Sequence, residues 1–264
     1  MSVDHLDHLV LNVLFEMDAA ASLFESLGFQ LTPRGRHSLG SINHLIMLPG
    51  SYVELVGLPR DVDRIRKEVF DSPHGPSGLV PGSDDIDATR RRLQELGLHP
   101  GDIQDFSRPV TIDGRERLAR FRTVGVAQSE FVAGRVYWCQ HLTPELVWRD
   151  EWLVHDNGLR TLDHLTIESI EAGPVARRYA AATGAEAVPT DGGWCITLAD
   201  GFRLLIEPAP RNRFTRIGLG FDGLERLAGR TARRDNLQWQ AEDTDRASLT
   251  IPSLDLVLDC RSVS

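Results

Sequence analysis

A histidine and a glutamate recur at matched spacing in this chain of 264 residues. His8 lies in Asp7-His8-Leu9-Val10-Leu11-Asn12-Val13 and Glu54 in Tyr52-Val53-Glu54-Leu55-Val56, 54 − 8 = 46 positions apart. His164 opens the parallel phrase Asp163-His164-Leu165-Thr166-Ile167-Glu168-Ser169, and Glu207 closes Leu204-Leu205-Ile206-Glu207, 207 − 164 = 43 positions later. Neutral imidazole nitrogen and carboxylate oxygen converging on one point are donors for a divalent ion. The plainer alternative is a hydrogen-bonded His–Glu pair inside a cavity. His141, in Tyr137-Trp138-Cys139-Gln140-His141, is a third residue of this kind. An imidazole titrates near neutral pH, so ligand, general-base and structural roles are all open to it. His37, flanked by Arg34 and Arg36, could meet an anionic group, although such stretches are more often solvated loops. Cys139 sits near His141, but that spacing alone does not activate a thiol. Nucleophile elbow, phosphate loop and dinucleotide fingerprint are all missing.

The elements that must position these residues follow from the hydrophobic pattern. Residues 9–13 read as a strand, 17–27 as a helix closed by Gly28, and 29–32, 41–47 and 52–58 as strands, a β-α-β-β-β order. A helix over 61–70 and a linker over 71–78 follow. A weaker second unit has a short strand at 79–80, a helix over 84–96 and strands at 118–126 and 136–142. Asp156-Asn157-Gly158 marks the main break. A third unit then runs through a strand at 162–169, a helix over 174–183 closed by Gly184, and strands at 193–198 and 202–207. The fourth has strands at 216–221, 247–251 and 254–259 around a helix over 224–232. Alternation puts His8, Val10 and Asn12 on one face and Leu9, Leu11 and Val13 on the other. Likewise Tyr52, Glu54 and Val56 oppose Val53 and Leu55, so His and Glu point into a cleft while the aliphatic faces cover helices. The expected class is α+β in tandem units, with domains over 1–158 and 159–264.

Composition narrows the partners. At 41% hydrophobic and 25% charged the chain reads as soluble and globular. Its net charge of −9 argues against nucleic acid or an anionic membrane surface as the main partner. Cys139, Cys195 and Cys260 are widely scattered, which suits a reducing, cytoplasmic location. No apolar run approaches the ~18 residues of a membrane span.

A unit opening on Asp7-His8-Leu9 and closing on Tyr52-Val53-Glu54-Leu55 resembles the vicinal oxygen chelate superfamily. That group includes glyoxalase I, extradiol dioxygenases, fosfomycin-resistance enzymes and bleomycin-binding proteins. The order Pro33-Arg34-Gly35-Arg36-His37, Asn43, Tyr52-Val53-Glu54-Leu55, and then Cys139 to Glu145, is similar to a glyoxalase-like branch. This likeness covers residues 6 to about 160, and the second half shares only the unit pattern.

The resemblance implies two glyoxalase-like barrel halves, each a pair of units around a cleft. It implies metal ligation by His8 and Glu54. The second unit's opening strand has no histidine, so His141 would complete two imidazoles and one carboxylate. His164 and Glu207 would form a weaker second site, with Arg216 or Gly218 near an expected histidine and Asp255 near an expected glutamate. The implied cofactor is a divalent ion such as Zn, Ni, Mn or Fe. The implied activity is a lyase or isomerase, ahead of a dioxygenase, on a small substrate that chelates through neighbouring oxygens. Glu54 and His141 would be catalytic, and Asn12, His37, Tyr52 and Tyr137 would bind substrate. The rival is a metal-free protein that sequesters a hydrophobic or antibiotic-like compound. Units could pair within a half, between halves, or between two copies in a homodimer.

Overall fold

A computed structural model describes residues 2–60 and 65–263. Its first sheet has β1 (Leu6–Leu14), β2 (Gly35–Arg36), β3 (Ile42–Leu48), β4 (Ser51–Gly57), β5 (Gly75–Pro81), β6 (Gln104–Ile112), β7 (Arg115–Gly125) and β8 (Arg135–His141). The strand order is β2-β3-β4-β1-β5-β8-β7-β6. The second sheet has β9 (Leu159–Ser169), β10 (Ala187–Thr190), β11 (Gly193–Thr197), β12 (Arg203–Pro208), β13 (Arg213–Phe221), β14 (Gln238–Ala241), β15 (Arg246–Ile251) and β16 (Leu256–Ser262). Its order, β10-β11-β12-β9-β13-β16-β15-β14, repeats the first. Helices α1 (Met17–Ser26), α3 (Ile86–Glu95), α4 (Ala172–Thr183) and α5 (Glu225–Thr231) serve the four units in turn, and the short α2 (Lys67–Phe70) precedes β5.

Units therefore pair within each half. Opening strands β1 and β5 meet antiparallel, with Leu9 opposite Leu79, while β1 and the closing β4 run parallel, with Val10 opposite Glu54. The same relations hold for β9 with β13 and β12. Leu9, Leu11 and Val13 pack with Met17, Ala20, Leu23 and Phe24 of α1, as alternation requires. That cluster also takes in Leu165, Ile167, Leu204, Ile206 and Phe221 of the second half, so the halves share one apolar core. Val10, Tyr52, Val56, Phe121 and Cys139 form a separate cluster on the inner face of the first sheet.

Local chemistry sets the ends of the helices. The Asp85 carboxylate accepts from the Ala88 N–H at 2.9 Å and starts α3. Gly184, at φ +70°, closes α4 in the left-handed conformation that an L side chain resists. The segment before β9 is bolted to the first unit: Asn157 donates to the Leu27 carbonyl, and His155 lies between the Gln30 N–H and the Met47 carbonyl.

The structure differs from the sequence reading mainly at sheet edges. Strands β6, β10 and β14 were not expected, and β2 forms at Gly35–Arg36 rather than at 29–32. All four lie at the ends of the two sheets, where one face carries little apolar pattern. β6 is also tied to β7 by Asp113-Gly114, both at positive φ, a hairpin turn legible in the sequence. The expected linker at 71–78 gives way at Gly75 to the seven buried residues of β5. Of the expected helix over 61–70, Lys67–Phe70 is helical among the described residues, and positions 61–64 lie outside them. Among the described residues no helix is long and apolar enough to cross a membrane.

Candidate functional site

A cavity of about 710 Å³ opens on the inner face of the first sheet. His8 projects into it from β1 and is 4% exposed; Glu54 projects from β4 and is 7% exposed. The β1–β5 register shifts between Leu6 and His8, leaving Asp7 without a partner residue across the ladder. Such a shift re-aims a side chain. The Asp7 carboxylate reaches His8 Nδ1 at 2.5 Å and, through its other oxygen, His141 Nε2 at 2.9 Å. Burial opposes ionisation of Asp7, but these two imidazoles outweigh it and hold the group well below the usual carboxylate range.

With Nδ1 turned to the Asp7 carboxylate, His8 presents Nε2 to the cavity. Nε2 lies 3.7 Å from Glu54 Oε2 and 3.3 Å from the Tyr137 hydroxyl. The Tyr52 ring stacks on His8 with centroids 4.4 Å apart. On the far side of Glu54, His37 Nε2 stands 3.8 Å from Oε1. Asn43 donates to Oε1 at 2.7 Å and so fixes the carboxylate. Burial pulls His37 down to about 4 against the attraction of Glu54, so its ring is neutral at neutral pH. Burial pushes Glu54 up, yet His37, His8 and Asn43 bring it net below its ordinary value. Tyr137 is pushed well up by burial and keeps its proton.

The structure thus brings His8, Glu54, His37, Tyr52 and Tyr137 to one cavity and sets His141 beside it, edge-on to Tyr52 at 6.5 Å and joined to His8 through Asp7. His141 opens on a neighbouring cavity of about 670 Å³, beside Trp148, behind Asp7. Asn12, expected at the substrate, is 0% exposed and fully engaged: it donates to the Val69 and Ser72 carbonyls and accepts from the Leu14 N–H. It anchors α2 to β1 instead. In the second half, His164 meets Asp259 at 3.1 Å, and Arg216 donates to the same carboxylate at 2.9 Å. Glu207 is exposed and pairs in register with Glu168, two positions beyond Leu205, which occupies the place that Glu54 has in the first half. Asp255 lies in the turn before β16, bonded to Arg213.

A family model for the glyoxalase-like domain matches residues 6–183. The chain belongs to the glyoxalase-like domain family. A hypothetical protein from Staphylococcus aureus shares the fold of this glyoxalase-like chain at a TM-score of 0.72, with 12% identity over 98% of this chain and 99% of the other. The Mn(II)-bound glyoxalase from Novosphingobium aromaticivorans aligns at 0.64, with 12% identity over 99% and 82% of the two chains. A mutant 4-hydroxymandelate synthase from Streptomyces coelicolor aligns at 0.57, with 15% identity over 99% and 93%. At such identities the likeness is one of fold. No protein of curated function matches the glyoxalase-like chain.

Two donor sets in this glyoxalase-like chain have the chemistry for a cation. Asp7, Cys139 and His141 place ligand atoms within 4.8 Å of one another. There, however, both Asp7 oxygens are engaged by imidazoles, and burial followed by the Asp7 and Glu54 charges pushes the Cys139 thiol well up. In the main cavity, His8 Nε2 and His37 Nε2 flank the Glu54 carboxylate at its two oxygens, and the Asn43 Oδ1 beside them is buried without a partner. Two imidazoles and a carboxylate suit a divalent ion that keeps open positions. The residues fit.

The sequence reading missed Asp7 as the group that orients His8, although it stands in the same repeated phrase. It also missed Arg66, Arg108 and Arg135, which line the cavity from outside any repeated motif.

Proposed function

We propose that this chain is a metal-dependent enzyme of the lyase or isomerase type, acting on a small substrate with neighbouring oxygens. The observation that carries the reading is the buried Glu54 carboxylate between His8 Nε2, at 3.7 Å, and His37 Nε2, at 3.8 Å. His8, Glu54 and His37 would hold the ion. A bound divalent ion polarises a substrate carbonyl and stabilises the oxyanion that develops on it.

The chain's own residues do the rest. Asp7 fixes the tautomer and orientation of His8 and thereby acts as a positioning residue. His141 supports Asp7 from behind. The Tyr137 hydroxyl, held protonated, donates to an oxygen that gains charge during reaction. Asn43 keeps Glu54 Oε1 occupied, which leaves Oε2 as the free oxygen facing His8. Tyr52 and Phe121 close the apolar side of the cavity against water.

The test is elemental analysis of untagged protein prepared without chelator, beside His8→Ala and His37→Gln. About one equivalent of Zn, Ni, Mn or Fe, lost in both variants, is expected. No metal even after reloading would sink the metalloenzyme and leave the metal-free small-molecule binder. Metal retained in His37→Gln but lost in His141→Ala would restore the ligand set expected from sequence.

A further inference from the structure

The deep wall of the cavity carries more positive charge than its own carboxylate can neutralise. Arg108, on β6, is 6% exposed, and among the described residues its guanidinium has neither a carboxylate partner nor a hydrogen-bond acceptor. Its nearest electrostatic neighbours are Tyr52 and Glu54. Arg135, on β8, has a buried Nε without a partner and lies 5.6 Å from the Tyr137 ring centroid. Arg66 is held by the Ser41 hydroxyl at 3.0 Å, reaches the half-exposed Glu68 at 3.9 Å, and faces the like charge of Arg135. The remaining acids on the wall, Glu68, Asp71 and Asp102, are half to fully exposed at the mouth. Leaving a guanidinium buried and unpaired is costly, so natural proteins seldom do it without a counter-ion.

The backbone makes room for this arrangement. Arg108 leans across β2 at Gly35, where a Cβ would run into Asn43 Oδ1 and sit 3.1 Å from Arg108 Cδ. Beside Arg108 on the same strand, Phe106 stacks on Phe121 with centroids 5.0 Å apart and meets the edge of His37 at 5.3 Å. An anionic anchor therefore adjoins an apolar, ring-sized wall.

We propose that Arg108 anchors a carboxylate on the substrate, whose apolar body lies along Phe106 and Phe121. A planar guanidinium fork matches a carboxylate in a bidentate way, and aromatic walls select a flat body over inorganic phosphate. This deepens the reading of the cavity as the active site and rests on it, but it does not need the metal. Arg135 and Arg66 add to the field that draws an anion inward.

Isothermal titration of metal-stripped protein with benzoate, 2-hydroxybenzoate and phenylpyruvate tests it, with benzamide as the neutral match and inorganic phosphate as the bare anion. At least one aryl carboxylate should bind at or below millimolar concentration, with benzamide at least about tenfold weaker. Arg108→Gln should weaken that carboxylate about ten- to hundredfold and leave benzamide unchanged, and Arg108→Lys should recover part of the loss. The proposal is overturned if no aryl carboxylate binds, if phosphate binds more tightly than all of them, or if Arg108→Gln binds as the wild type does. A protein that binds carboxylate but no metal would refute the metal reading alone.

Discussion

The neutral, buried His37 makes folding stability depend on pH in a window clear of most carboxylates. Its folded pKa lies at about 4 against an ordinary 6.5, because burial disfavours the imidazolium. Between these values the unfolded chain binds a proton that the folded chain refuses, so stability falls as pH falls. Linkage with these two values gives a loss of about 2 kcal/mol from pH 7 to pH 5, rising towards about 3 kcal/mol near pH 4. Burial also lowers His155, which therefore contributes in the same direction. Comparison with His37→Gln isolates the His37 share. Urea unfolding followed by tryptophan fluorescence, with chelator present at pH 7, 6 and 5, is the assay. The wild type should lose about 2 kcal/mol more than the variant over that range. Parallel losses, within about 0.5 kcal/mol, would refute a neutral His37 held in the folded cavity.

Three further outcomes follow from the geometry. Asp7→Asn removes the charge that orients His8 and should weaken metal binding about ten- to hundredfold, read by competition with a chromophoric chelator. Phe221→Ala, at a 0% exposed position 6.3 Å from the Phe29 ring, should cost about 3–5 kcal/mol. Because that ring belongs to the shared core, calorimetry should show one transition moving down rather than two separating. Gly35→Ala forces a Cβ onto Asn43 and should destabilise by about 1–3 kcal/mol while disturbing Glu54.

Much of this fold was legible because alternation is a local signal. The placement of Leu9, Leu11 and Val13 against a helix, and of His8 and Val10 towards a cleft, needs only a period of two and a repeated phrase. The convergence of His8 with Glu54 was legible for the same reason, since their strands are neighbours in parallel register. The place of His141 was not, because it shares the inner face of β8 with Tyr137 and Cys139, and alternation cannot say how far along the cleft a side chain lies. Asn12 shares a face with His8, yet two backbone carbonyls near α2 claim it, and nothing in the sequence marks those acceptors. The arginines were hidden for a different reason. Arg108 comes from an edge strand with a weak pattern, and its burial depends on a glycine some seventy positions away.

The two halves share a sheet order but not a site, and their electrostatics explain why His164 should not hold metal. Asp259 already receives His164 and a two-pronged Arg216, and Gly218 leaves the space that the His164 ring fills. A divalent ion brought to His164 would meet a carboxylate whose charge Arg216 already balances, and would add its own charge beside that guanidinium. His164→Ala should therefore keep the metal content of the wild type, whereas His8→Ala should lose it. Elemental analysis of the two variants side by side decides the matter. Metal lost from His164→Ala and kept in His8→Ala would place the ion in the second half and overturn the electrostatic argument.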